Sequence, residues 1–289
     1  MFQVVRFLGK DFPISACCQA LGVSRNGYRE HIRKPQRKRK VEDRILKVKI
    51  RECFEESRGT YGCDRIAKSL RIKGTSCGKT RASRLMREMG LRAKEKRRFR
   101  PRTTRRDPCA IPAPNYLAMI PQVQNENRVW VTDITYVQTS AGWGYVAAVL
   151  DLFSRRCLAW DVSNHMGDDL VIAVQKKAFS RRPISRGLIL HSDRGSQYTG
   201  RRFKALLGAY GATGSMSGKG HCYDNATMES FWATLKTECL CGSIPEDHDE
   251  VRRRLFEYID GFYNTRRMHS SLGYLAPVEF ERKTNQASR

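Results

Sequence analysis

The sequence predicts an α/β fold, a mixed five-stranded sheet flanked by helices, preceded by all-α modules of helix-turn-helix type. Three observations predict it. Apolar residues recur at helical spacing up to about position ninety, whereas after Pro114 β-branched and aromatic residues gather in short runs separated by turn residues. Three such runs follow one another closely, and helical and strand patterns then alternate, the order that builds a mixed sheet. Charge divides the chain at the same place: 32 basic and 11 acidic residues lie up to Asp107, and 22 and 18 beyond it.

The net charge of +25 is thus concentrated in the first part, where it suits a polyanion, and nucleic acid is the polyanion it predicts. No apolar run reaches the ~18 residues of a membrane span. The opening MFQVVRFLGKDFPIS is broken by charge too early for a signal peptide. The ten cysteines include no C-x-x-C pair, and Cys239-x-Cys241 with His248 is a poor zinc spacing. They read as reduced, small, mostly buried residues of a cytosolic protein.

In chain order, residues 13–32 predict two short helices, with Ile14, Cys17 and Leu21 at helical spacing, Gly22 ending the first and Ser24 capping the second. Helix, turn and helix is a DNA-reading arrangement. The basic run RKPQRKRK (33–40) follows. Val41, Ile45 and Val48 mark the apolar side of the next helix, Ile66 and Leu70 that of another, and Ala82, Leu85, Met86 and Met89 that of a third. On this third helix Lys79, Arg81, Arg84 and Arg87 leave an almost purely cationic face, suited to phosphate contact. KEKRRFRPRTTRRDP (94–108) is a second basic linker. RVWVTDITYVQT, GWGYVAAVLDLFSR and RCLAWDVSN predict a three-stranded antiparallel meander; a helix (GDDLVIAVQKKAFS), a strand (RGLILHSDRG), a helix (GRRFKALLGAYG), a short strand (ATGSMS) and a last helix (YDNATMESFWATLKTECL) follow.

Three carboxylates break these patterns. Asp133 lies inside the first strand, where Asp is disfavoured. Asp193 ends the fourth strand. Glu229 sits at the edge of the stripe formed by Met228, Phe231 and Leu235. If the meander stays to one side, the first and fourth strands become neighbours, the last helix crosses their ends, and the three acids converge. Converging carboxylates repel and need a counter-ion. Mg²⁺ or Mn²⁺ supplies one through oxygen ligands, and two such ions about 4 Å apart clamp a phosphodiester.

WVTDITYV, HSDRGSQYT and NATMESFWATLKTE resemble the three catalytic blocks of DDE transposases and retroviral-type integrases, with 35 residues between Asp193 and Glu229. YNTRRMHSSLGYLAP (263–277) is similar to the tail of the IS-three family of insertion sequences, and GTYGCDRI and LGVSRNGYRE to its N-terminal helical modules. One departure is Cys63-Asp64, where that family usually carries polar or basic residues. The resemblance implies an RNase H-like fold and a bacterial, cytoplasmic, nucleoid-associated DNA transposase. Its Asp133, Asp193 and Glu229 would be at once the catalytic triad and the ligands of two Mg²⁺ or Mn²⁺ ions. It implies double-stranded DNA as partner, terminal inverted repeats and target alike, and at least a dimer when two ends are joined. In that family such a chain is often the downstream reading frame, so the upstream-frame product is a further expected partner. The expected divisions are a helix-turn-helix fragment with its linker (1–40), a helical DNA-binding domain (41–93), a basic linker (94–124), the catalytic core (125–240) and a C-terminal helical extension (241–289).

Further DNA contacts are expected at Lys219, in a Gly- and Ser-rich loop, and at Asn225, one turn before Glu229. Lys236, two turns beyond Glu229, is either a backbone contact or a solvated lysine. Tyr263, Asn264, Arg267 and His269 bind DNA or brace the last helix, with Arg267 the foremost for DNA. His191 supports the site or simply packs in its strand, and Asp151 reads as a turn residue. Two rival classes remain. His191-x-x-Arg194 with Tyr223 faintly resembles a tyrosine recombinase, although such sites lie in all-helical domains. A repressor with a dead catalytic domain would keep the helical modules but has no need of the intact acids.

Overall fold

The structure, a computed structural model, describes residues 1–33, 38–94, 112–184, 187–218 and 225–287. Lys219, Tyr223 and Asp224 lie outside the described residues, as does most of the second basic linker. The chain forms two compact units, Met1–Arg92 and Ala93–Arg289.

The first unit is helical. Helices α1 (Phe2–Leu8), α2 (Ile14–Ala20) and α3 (Arg25–Arg33) enclose a small cluster of Val5, Cys17, Cys18 and Tyr28. Gly22 supplies the left-handed turn between α2 and α3 at φ 61°. Ser24 Oγ accepts from the Gly27 amide at 2.9 Å, as its sequence position led one to expect. Helix α1 was not expected. Seven residues with adjacent valines have little helical drive of their own, and its stability is tertiary: Val5 is fully buried and Phe2 stacks on His31 at 5.0 Å.

Helices α4 (Lys38–Glu56), α5 (Cys63–Ile72) and α6 (Lys79–Glu88) form a three-helix cluster. Ile66, Leu70, Ala82, Leu85 and Met86 are buried, as their periodicity requires. The expectation for α4 needs correction. Val41, Ile45 and Val48 are exposed, and the buried side is Leu46, Ile50 and Cys53. Both sets recur at i, i+4 and i+7, so spacing alone could not decide which side meets α5 and α6.

The second unit is built on one sheet of order β3-β2-β1-β4-β5. Strands β1 (Val129–Thr139), β2 (Gly142–Asp151) and β3 (Cys157–Ser163) form the antiparallel meander. Helix α7 (Asp168–Arg181) leads to β4 (Ile189–Ser192), which returns parallel to β1. After α8 (Ser196–Thr199) and α9 (Arg201–Ala209), β5 (Thr213–Met216) adds parallel to β4. The meander therefore stays to one side, as expected, in an RNase H-like arrangement. One sheet face buries Trp130, Val149, Leu158 and Leu190 against Val174 and Ala178 of α7 and Phe203 and Leu207 of α9. Helix α10 (Ala226–Glu238) packs against β1.

Helix α11 (His248–Tyr258), a π-turn over Ile259–Tyr263 and α12 (Pro277–Ala287) complete the unit. The tail is fastened by buried polar groups. Glu281 on α12 accepts from Arg182 at 2.6 and 2.7 Å, from Arg156 at 2.7 Å and from Ser154 at 2.7 Å. Asp151, read as structural, is fully buried in the β2–β3 turn and accepts the amides of Asn127, Phe153 and Ser154.

Candidate active site

The two aspartates are placed by strand pairing. The parallel β1–β4 ladder ends at Val131 opposite His191, so Asp133, within β1, and Asp193, just past the end of β4, each lie two residues beyond its last pair. Alternation sends Trp130 into the core beneath α7 and turns Val131 and Asp133 toward α10. From α10, Trp232 donates its indole N–H to Asp133 Oδ2 at 3.0 Å, while the Ile134 amide donates to Oδ1 at 2.8 Å. Asp193 follows the last residue of β4 and accepts the Gly195 amide at 2.9 Å. A Cβ at position 195 would sit 3.0 Å from that carboxylate oxygen and 2.7 Å from Gln197 Oε1, so a larger residue there would press on the Asp193 side chain.

Glu229 is exposed on the first turn of α10. The three acids are near enough to act on one another. The Asp133 carboxyl is pushed up to about 7, first by burial, then by the Asp193 charge, with Glu229 adding a smaller push; the bonds from Ile134 and Trp232 oppose the rise. Among the described residues no three His, Cys, Asp or Glu side chains stand close enough together to hold a metal ion, so the set is open. Its chemistry still fits a hard divalent cation: the donors are carboxylate oxygens, and the charges of Asp193 and Glu229 add to the burial that raises Asp133.

Other side chains complete the surroundings. Tyr198 is buried, and burial together with the charges of Asp133 and Asp193 holds its phenol protonated. Lys236 is half-buried; burial lowers its pKa and the Asp133 charge opposes this, so its ammonium faces the acids electrostatically. It also lines a cleft of about 420 Å³ with Tyr136, Trp143 and Ile244. His191 is fully buried between the hydroxyls of Ser215 (2.9 Å) and Ser217 (3.1 Å), the packed strand histidine of the two readings. Arg194 donates to the Ser217 carbonyl at 2.7 Å. His191 lies in a strand of a mixed sheet, unlike the helical sites of tyrosine recombinases. Trp232 and Tyr198 were given no role from sequence, although a tryptophan beside a buried stripe signals an N–H in need of an acceptor.

The remaining expected DNA contacts fare differently. Arg267 is corrected: it is 5% exposed, and its guanidinium grips Glu238 of α10 at 2.8 and 2.6 Å, with Tyr258 Oη on the same carboxylate at 2.8 Å. Asn264 pairs with both backbone groups of Cys157 at 2.9 Å, Tyr263 donates to the Arg155 carbonyl, and His269 packs edge-on against Tyr263. These tail residues brace the unit. Asn225 is buried at the start of α10, and its side chain does not cap the helix. Arg81 and Arg84 are held by Asp43, with Glu42 and Glu88 taking their other nitrogens, and Lys79 meets Asp64 at 3.0 Å. The face of α6 is therefore less purely cationic than its sequence suggests, and Lys79 and Arg87 are its exposed members.

The fold and the comparisons with known proteins define an enzyme of the integrase and transposase class. Integrase core domain models match residues 123–222 and 210–277, and an HTH-like domain model matches residues 40–99. The transposase for insertion sequence element IS904 of Lactococcus lactis subsp. lactis is 40% identical over 245 residues, covering 85% of this chain and 96% of that protein. Transposase InsF for insertion sequence IS3A of Escherichia coli K12 is 36% identical over 279 residues, covering 94% and 95%. The catalytic core of BIV integrase superposes with a TM-score of 0.42 at 17% identity, covering 56% of this chain and 98% of that one. The chain belongs to the IS3 family of insertion-sequence transposases. It is a DDE-type transposase that binds DNA, in a class of domain that uses divalent metal ions. None of its described helices is long and apolar enough to cross a membrane.

Proposed function

We propose that Asp133, Asp193 and Glu229 are the catalytic carboxylates and that they hold two Mg²⁺ or Mn²⁺ ions while the enzyme cuts and joins DNA at the terminal inverted repeats of its element. The observation that carries this reading is that the Asp193 and Glu229 charges both act on the Asp133 carboxyl, two residues beyond the last β1–β4 pair, while Trp232 of the Glu229 helix bonds it. When bound, the ions would activate the attacking water or 3′-hydroxyl and stabilise the leaving oxygen.

The chain's own residues prepare that site. Trp232 and the Ile134 amide fix the Asp133 carboxylate, the Gly195 amide fixes Asp193, and Tyr198 backs both acids with an apolar ring. Lys236 supplies a cation for a phosphate brought beside the acids. In the first unit, Arg87 and Lys79 on α6 supply contacts to the DNA backbone, with Arg81 and Arg84 available as their acidic partners exchange. We assign the first unit to DNA binding, residues 125–240 to catalysis and 241–289 to support. Joining two ends calls for at least a homodimer, with the upstream-frame product as a further partner, and the work is done on cytoplasmic, nucleoid-associated DNA.

Labelled element-end DNA incubated with Mg²⁺ tests the proposal. Metal-dependent nicking that Asp193→Asn abolishes supports it. A covalent DNA–tyrosine adduct, or nicking unchanged in Asp193→Asn, overturns it.

A further inference from the structure

The first turn of α10 carries Glu229 yet is poorly anchored by its own sequence. Its N-cap, Asn225, makes no side-chain capping bond, and Glu229 itself is exposed. Unsatisfied amides at a helix start fray unless something outside the helix holds them.

The β2–β3 turn reaches this point. Arg155 occupies that turn with φ 60°, a left-handed conformation that a non-glycine residue keeps only where its surroundings fix it. Here they do. The Arg155 amide donates to the Asp151 carbonyl at 2.9 Å, and its carbonyl accepts from Tyr263 Oη at 3.2 Å. From this fixed base the side chain crosses to α10, where Nη1 donates to Thr227 Oγ1, two residues before Glu229. No carboxylate bonds this guanidinium among the described residues; burial disfavours its charge, and Tyr263 and Asp151 favour it only at longer range. A half-buried guanidinium with no acid among the described residues to bond it is costly to keep. Anchoring one turn of one helix accounts for its presence.

We infer that Arg155 is a positioning residue that tethers the first turn of α10 through Thr227 and so sets where Glu229 stands relative to Asp133 and Asp193. The inference rests on the proposed role of Glu229. Because the three acids form an open set, the placement of this turn governs whether Glu229 can join the other two by rotation of its side chain alone.

Two readouts test this in the full chain. The first is amide hydrogen exchange over Thr227–Ser230 in metal-free protein, which does not depend on catalysis. Arg155→Met and Thr227→Val are each expected to speed exchange there about tenfold or more, with the melting temperature of the unit little changed, while Thr227→Ser keeps wild-type protection. The double variant is expected to be no worse than either single one, since both break the same bond. The second readout is the Mn²⁺ dependence of nicking. The apparent metal constant is expected to rise about tenfold in Thr227→Val with KM for DNA unchanged, the usual effect of losing a group that orients a ligand. Unchanged exchange in Thr227→Val overturns the inference. So does a rise in KM for DNA alone in Arg155→Met, which would make the arginine a phosphate contact. Failure of the proposed function would instead appear as an absence of metal-dependent nicking in the wild type, leaving the exchange result standing.

Discussion

Trp232 donates its indole N–H to Asp133 from a position three residues after Glu229, so one helix both carries the third acid and restrains the first. The bond also opposes the rise in the Asp133 pKa. Trp232→Phe keeps most of the ring and removes the donor. The Asp133 carboxyl then becomes harder to ionise, and the acidic limb of the pH–rate profile is expected to move to higher pH, with the rate at neutral pH down about tenfold.

Asp133 also couples stability to pH in metal-free protein. Its folded pKa of about 7 lies above the ordinary 3.8, so the folded state holds the proton more tightly. This contribution is fully present below about pH 4 and is lost as pH rises through about 7. Asp133→Asn is expected to be more stable than wild type at pH 8 without metal, by about 4 kcal/mol, and equal to it near pH 4. Urea titrations at the two pH values measure the difference, and equal stability at both would show that Asp133 ionises as freely as in water.

Arg267 and Glu238 are both almost fully enclosed, with side chains 6% and 7% exposed. Arg267→Met strands the Glu238 charge and is expected to destabilise the second unit by about 3–5 kcal/mol, whereas replacing both partners with apolar residues costs much less. DNA affinity measured well below the melting temperature should stay within about twofold, since the guanidinium is not at the surface. A loss of affinity with unchanged stability would return Arg267 to the DNA-contact role its sequence position suggested.

On α6, exposed Arg87 and ion-paired Arg84 are expected to separate. Arg87→Ala should weaken DNA binding and reduce the slope of log K against log salt by about one. Arg84→Ala leaves Asp43 to Arg81 and Glu88 to Lys47, and by making this surface more negative should weaken binding more at low salt than at high salt. Fluorescence anisotropy across a salt series distinguishes the two.

Glu281 acts in the opposite pH sense to Asp133. Although burial alone would raise its pKa, bonds from Ser154 and Arg156 and the charge of Arg182 hold it below the ordinary 4.5. Its stabilisation is present above that value and lost as pH falls through the lowered one. Glu281→Gln is expected to cost about 3 kcal/mol at pH 7 and much less near pH 3, read by thermal melts at both.

Much of this architecture was legible because local pattern and tertiary need coincide. The meander, the return strand and the last helix each announce themselves by period, and Asp133 stood out because a strand interior has little other use for a carboxylate. Glu229 stood out less, at the edge of an apolar stripe. What could not be read depends on partners far away in the chain. Val41 and Leu46 head equally good helical stripes, and only the docking of α5 and α6 chooses between them. Arg267 looked like a surface cation because its acid, Glu238, lies 29 positions earlier on another element. Helix α1 is held by Cys17, Cys18 and Tyr28 and hardly at all by its own seven residues.

The parallel pairing of β1 with β4, which ends two residues before Asp133 and Asp193, has a consequence for synthesis on the ribosome. The first acid emerges early, but its neighbour exists only once the crossover helix and fourth strand have been made, and α10 with its Arg267 fastening comes later still. On the proposed assignment, the helices given to DNA binding are therefore made before the acids given to cutting can come together.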